Sequence, residues 1–86
     1  MARLTLKEWN RLLRHGRALC FGLEAKGINA RVTPYKGEQA TSGLCIQALD
    51  YNGHVLKGYK SGTSRYNVMM MALAVGARRL EREYAK

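Results

Sequence analysis

Acidic residues are scarce in this chain. Six Asp and Glu stand against fifteen Lys and Arg, and Asp50 is the only aspartate. No two carboxylates are placed by local spacing to share acid and base work, so the chain is not expected to be an enzyme. Metal-ligating residues are equally sparse. His15 and Cys20, five apart on a helix, point roughly 140° away from each other. With Cys45 and His54 they form no Cys-x-x-Cys element, so neither a metal site nor a cofactor is expected. The two cysteines lie in apolar runs, Leu19-Cys20-Phe21 and Leu44-Cys45-Ile46, and read as reduced, buried thiols. The longest apolar run, Val68 to Val75, has eight residues, against the ~20 of a membrane span. No secretory signal opens the chain, and the expected compartment is the cytoplasm, with no membrane attachment. Proline occurs once, at Pro34, so long helices are free to run uninterrupted.

Positive charge is abundant. The formal net charge is +9 and the pI is near 10.1, which attracts polyanions at long range. Candidate partners are nucleic acid, whether RNA or DNA, and an acidic protein. At 86 residues with 47% hydrophobic and 24% charged composition, the chain fits one globular domain, 1–86. So small a core is also compatible with a homodimer.

Five elements follow from the pattern. Thr5 to Lys26 reads as an amphipathic helix opened by a Thr5/Glu8 capping box. Leu6, Trp9, Leu12, Leu13, Gly16, Leu19, Cys20 and Leu23 mark its apolar side, and Gly27 stops it. Gly16 and Gly22 weaken it, or mark a bend or close approach. Ile28 to Tyr35 alternates as a strand, with Pro34 at an edge or end. Lys36 to Gly43 is a mobile loop by composition. Leu44 to Tyr51 and His54 to Lys60 are strands joined through Asn52-Gly53, the signature of a type I′ turn. After Ser61-Gly62-Thr63-Ser64, with Thr63 or Ser64 as N-cap, Arg65 to Tyr84 reads as a second helix. Its apolar face is Tyr66, Met69, Met70, Leu73, Gly76, Ala77, Leu80 and Tyr84. The fold class is α+β, in the order α-β-β-β-α, with two helices packed on one face of a three-stranded antiparallel sheet.

Three features suggest binding. Lys7, Arg11 and Arg14 fall within about 60° on the outer side of helix one, with Arg17 beside them and no acid among them. Guanidinium forks suit phosphate oxygens. Lys57, Lys60, Ser64 and Arg65 bring positive charge and a hydroxyl to a helix N-terminus, where amides and dipole favour an anion. Val68, Met71 and Val75 form a second apolar strip on helix two, suited to the core, a dimer or a partner. The strand tyrosines Tyr35, Tyr51 and Tyr59 could stack bases on an open sheet face.

The element order, with Gly62-x-Ser64-Arg65 opening the last helix and Ala72 further along it, resembles the double-stranded RNA-binding domain. That resemblance implies phosphate contacts by Arg65, a groove contact by the basic face of helix one, and a second by the Asn52-Gly53-His54 turn. Tyr66 and Met69 stand where that family has two further lysines. The expectation is therefore a small basic nucleic-acid-binding protein. The alternative is a small inhibitor or adaptor, of the kind phages and plasmids encode, docking on an acidic partner.

Overall fold

Thr5 opens the first helix in the computed structural model, which describes residues 4–37 and 41–85. Its hydroxyl accepts from the Glu8 amide at 3.1 Å, and the Glu8 carboxylate accepts from the Thr5 amide at 3.0 Å. Helix α1 (Leu6–Glu24) buries a ridge of Leu12, Gly16, Cys20 and Leu23. The chain reverses through Gly27, whose φ of +81° is the left-handed conformation glycine adopts without cost. Strands β1 (Asn29–Lys36), β2 (Ser42–Leu49) and β3 (Val55–Lys60) follow, then helix α2 (Tyr66–Tyr84). The centre of the expected loop, residues 38–40, lies outside the described residues.

The strands form one antiparallel sheet in the order β1-β2-β3. Pro34 sits on the edge strand β1, where a missing amide donor is tolerated. Val32, Ile46 and Tyr59 are cross-strand partners and so share one face. Both helices lie on that face. A Cβ at Gly16 would come 2.9 Å from Val32 Cγ2, and one at Gly76 would come 2.8 Å from Tyr59 Cβ. Each glycine thus lets a helix approach the sheet closely, whereas Gly22 faces open space. Leu12, Leu44, Ile46, Met69, Leu73 and Leu80 are fully buried between the layers, each contributing roughly 1.5–3 kcal/mol of apolar burial. Cys20 and Cys45 are free and buried, and burial, with Glu24 adding, pushes the Cys20 thiol up to about 11. Such a thiol is protonated and unreactive near neutrality.

Two turns differ from expectation. Residues Asp50 to His54 separate β2 from β3, too many for a two-residue type I′ turn. The Asp50 carboxylate accepts from the amides of Asn52 at 2.9 Å and His54 at 2.8 Å, so an Asx-type turn dominates, preceded by a register shift at Ala48/Leu49. Beyond β3, Ser61 is buried and acts as a latch. Its hydroxyl accepts from the Leu44 amide at 3.0 Å, and its own amide donates to the Leu44 carbonyl at 2.7 Å.

At the other end of the sheet, α2 is clamped to β3. The Tyr59 hydroxyl donates to the Glu83 carboxylate, Lys57 lies 3.4 Å from that carboxylate, and Lys57 and Arg79 both lie over the Tyr59 ring. The Tyr59 hydrogen bond first, and Lys57 next, hold Glu83 below its ordinary value of 4.5. A carboxylate lowered in the folded state stabilises above its unfolded value, and the benefit disappears as pH falls through the folded one. Glu83→Gln should therefore flatten the loss of thermal stability between about pH 6 and pH 2, measured by circular dichroism. Equal acid sensitivity in both proteins would show that the clamp carries no stability.

Candidate nucleic-acid interface

The helix and sheet registers fix where each cation sits. With Gly16 over Val32 and a tight turn joining α1 to β1, α1 runs antiparallel to β1. Lys7 lies roughly 13 Å from Gly16 at 1.5 Å per residue, and Lys36 lies roughly 13 Å from Val32 in the same direction. Lys7 and Lys36 therefore stand at one end of the molecule. Gly76 packs beside Ile46 and Tyr59 at the level of Val32, which brings the start of α2, with Ser64 and Arg65, to that same end. At the opposite end Lys26, just past α1, bonds Glu81 in α2 at 2.6 Å. The two helices are thus roughly parallel.

Lys7, Arg11, Arg14 and Arg17 are all exposed, on the side of α1 turned away from its buried ridge. Among the described residues none of the four forms an ion pair; the pairs found are Lys26–Glu81, His54–Asp50 and Lys57–Glu83. The acids explain why. Glu8 caps α1, Asp50 closes the hairpin, and Glu81 and Glu83 hold the ends of the helices in place. These four carboxylates are committed to structure, and Glu24, exposed two turns beyond Arg17 on the same side of α1, is the acid that stands at the end of the basic row. Phe21, 71% exposed, projects from the same face, one turn beyond Arg17 and two beyond Arg14. Sequence reasoning missed it, although its angular position on the helix placed it within the basic arc.

The second predicted cluster is divided by the structure. Ser64 and Arg65 are exposed at the start of α2. The N-cap is Arg65 rather than Thr63 or Ser64, and no side chain caps the helix. Thr63 instead packs towards the β1–β2 connection, where a Cβ at Gly37 would lie 2.8 Å from its methyl. Lys57 is occupied by Tyr59 and Glu83 near the far end of α2, and the Tyr59 contact first, with Glu83 next, raises its pKa and holds it charged. Lys60 lies on the opposite sheet face, over the Tyr35 ring at 5.1 Å. The Asn52-Gly53-His54 turn also sits at the far end, roughly 17 Å of strand from Lys60 at 3.3–3.4 Å per residue.

The tyrosines separate likewise. Tyr35 alone lies on the open face, which it shares with Arg31, roughly 13 Å further along β1, where the guanidinium donates to Gln47 at 2.8 Å. Tyr59 is under α2, and Tyr51 is 97% exposed on the turn. Val68, Met71 and Val75 are exposed on α2 rather than in the core. Among the described residues no group of three His, Cys, Asp or Glu could hold a metal ion, and no helix is long and apolar enough to cross a membrane. Comparison of the chain with family models, curated proteins and solved structures gave no match.

Proposed function

We propose that the protein binds nucleic acid through the outer face of α1, continued at one end by Lys36, Ser64 and Arg65. The observation that carries this reading is a row of four exposed cations that form no ion pair among the described residues, with an exposed aromatic ring on the same side one turn beyond its end. Arginines and lysines neutralise phosphates, and Phe21 offers a surface on which an unstacked base can lie. The uncapped amides of α2 add donors beside Arg65. Lys57, Lys60 and the Asn52–His54 turn take no part. The resemblance to the double-stranded RNA-binding domain supports this reading in the use of α1 and Arg65.

The test is fluorescence anisotropy of the full chain with duplex RNA, duplex DNA and single strands, at ~50 and ~200 mM salt. Phosphate contacts by the four α1 cations alone give a log–log salt slope of about −3.6 on a duplex, an affinity loss of roughly 150-fold across that range, and contacts by Lys36 and Arg65 steepen it. Binding that is absent, or insensitive to salt, would overturn the reading. Phe21→Ala carries no charge change, so it should weaken single-strand binding by about tenfold while leaving the salt slope unchanged. Unaltered affinity would remove Phe21 from the contact.

A further inference from the structure

We infer that the outer face of α2 docks an acidic amphipathic segment of a partner protein, on residues that the nucleic-acid reading does not use. Val68, Met71 and Val75 are exposed at 50%, 68% and 46%, and they follow one another at spacings of three and four, so they form one continuous strip. Arg78 and Arg82, also exposed, prolong it. At 100° per residue the five side chains fall within an arc of about 80°, and from Val68 to Arg82 the face is roughly 21 Å long. It lies opposite the buried ridge Met69, Leu73, Gly76, Ala77 and Leu80. Neither α1 nor the sheet covers it.

Three occupants differ in chemistry. Nucleic acid would meet the arginines but leave its phosphates against Val68, Met71 and Val75, which offer no hydrogen-bond donor. A second copy would match the apolar strip but bring more like charge. The acids of α2, Glu81 and Glu83, are already committed to Lys26 and to Lys57 with Tyr59, so no α2 carboxylate is left for the facing Arg78 and Arg82. A partner segment with apolar side chains at helical spacing beside one or two turns of Asp and Glu satisfies both halves of the face. Met71 suits such a role, because its unbranched side chain adapts to varied apolar surfaces.

The probe is a synthetic helical peptide carrying leucines over two turns and glutamates over the next two, added to the full chain. Its affinity is read by anisotropy, and its footprint by amide chemical shifts. Expected is a footprint on Val68, Met71, Val75, Arg78 and Arg82. Affinity should fall about tenfold or more when the peptide leucines become serine, in Met71→Ser/Val75→Ser protein, and in Arg78→Glu/Arg82→Glu protein. Arg11→Glu/Arg14→Glu should stay within about threefold of wild type, as a charge remote from the contact. Equal binding of the serine peptide, or a footprint centred on α1, would reduce the face to unspecific attraction and overturn the inference. A concentration-dependent mass abolished by Met71→Ser would assign the strip to a second copy instead. Displacement of the peptide footprint by duplex or single-stranded nucleic acid, with shifts at the same five residues, would assign it to nucleic acid. Because the nucleic-acid reading rests on α1, either reading can fail while the other survives.

Discussion

Arg11→Glu, Arg14→Glu and Arg17→Glu combined should lower nucleic-acid affinity by about 100-fold, close to 3 kcal/mol, at ~100 mM salt. The salt slope on a duplex should also fall by about 2.7, as three phosphate contacts are lost. The fold should survive. All three side chains are exposed, none forms an ion pair among the described residues, and the buried ridge of α1 lies on the other side of the helix. Glutamate and arginine have similar helix propensities, so the thermal midpoint should move by no more than about 5 °C. The matched lysine variant keeps the charge and loses only the planar fork, so it should retain most of the salt dependence. Anisotropy titrations of the three proteins, alongside circular dichroism, decide the matter. An intact fold with unchanged affinity would move the contact to another surface, such as the Arg31, Tyr35 and Lys60 face of the sheet.

The largest effect on stability is expected from Gly43→Ala. A Cβ there would stand 2.5 Å from the Gly62 carbonyl oxygen and 2.8 Å from two carbons of the Tyr35 ring. A ring can swing aside. The carbonyl cannot do so cheaply, because the neighbouring Ser61 is 3% exposed and latched to Leu44 by two hydrogen bonds. Accommodating the methyl group means breaking that latch or parting the strand ends. The cost is about 3 kcal/mol, the upper part of the range for overpacking, or a midpoint lowered by roughly 12–24 °C. Gly22→Ala is the internal comparison. It meets nothing within 4 Å and should raise stability by up to about 1 kcal/mol through helix propensity. A Gly43→Ala protein that melts with the wild type would show that the Ser61–Gly62 segment is free to move. A destabilised one should also weaken binding through Arg65, since the latch sets where α2 begins.

What the sequence made legible was local. The Thr5/Glu8 box spans one turn, the buried face of α2 repeats every three or four residues, and both features are visible without knowing any neighbour. The order of elements and the two-layer packing follow from them, because two apolar stripes have one sheet face to share. The failures involve partners far apart in the chain. Lys57 reads as a free cation beside Lys60 until Glu83, a helix away, neutralises it. Tyr59 reads as a candidate for an open face because alternation does not say which side the helices cover. The N-cap of α2 fell to Arg65 once Thr63 turned towards Gly37. Phe21 is a different omission. Its place on the arginines' side of α1 is present in the helical period, but Phe21 closes the apolar run Leu19-Cys20-Phe21 and so reads as core rather than as part of a basic surface.

The parallel run of the two helices has an electrical consequence. Both positive dipole ends meet beside Lys7, Lys36 and Arg65, while at both negative ends Glu24, Asp50, Glu81 and Glu83 offset most of the charge of Lys26, Lys57, Arg78, Arg79 and Arg82. The molecule, 40 Å along its longest axis, is thus polarised lengthwise as well as net positive. A polyanion exerts a torque on such a body before contact, turning the Arg65 end forward during approach. Encounter complexes are then biased in orientation, and this advantage in association rate disappears as added salt shortens the reach of the field.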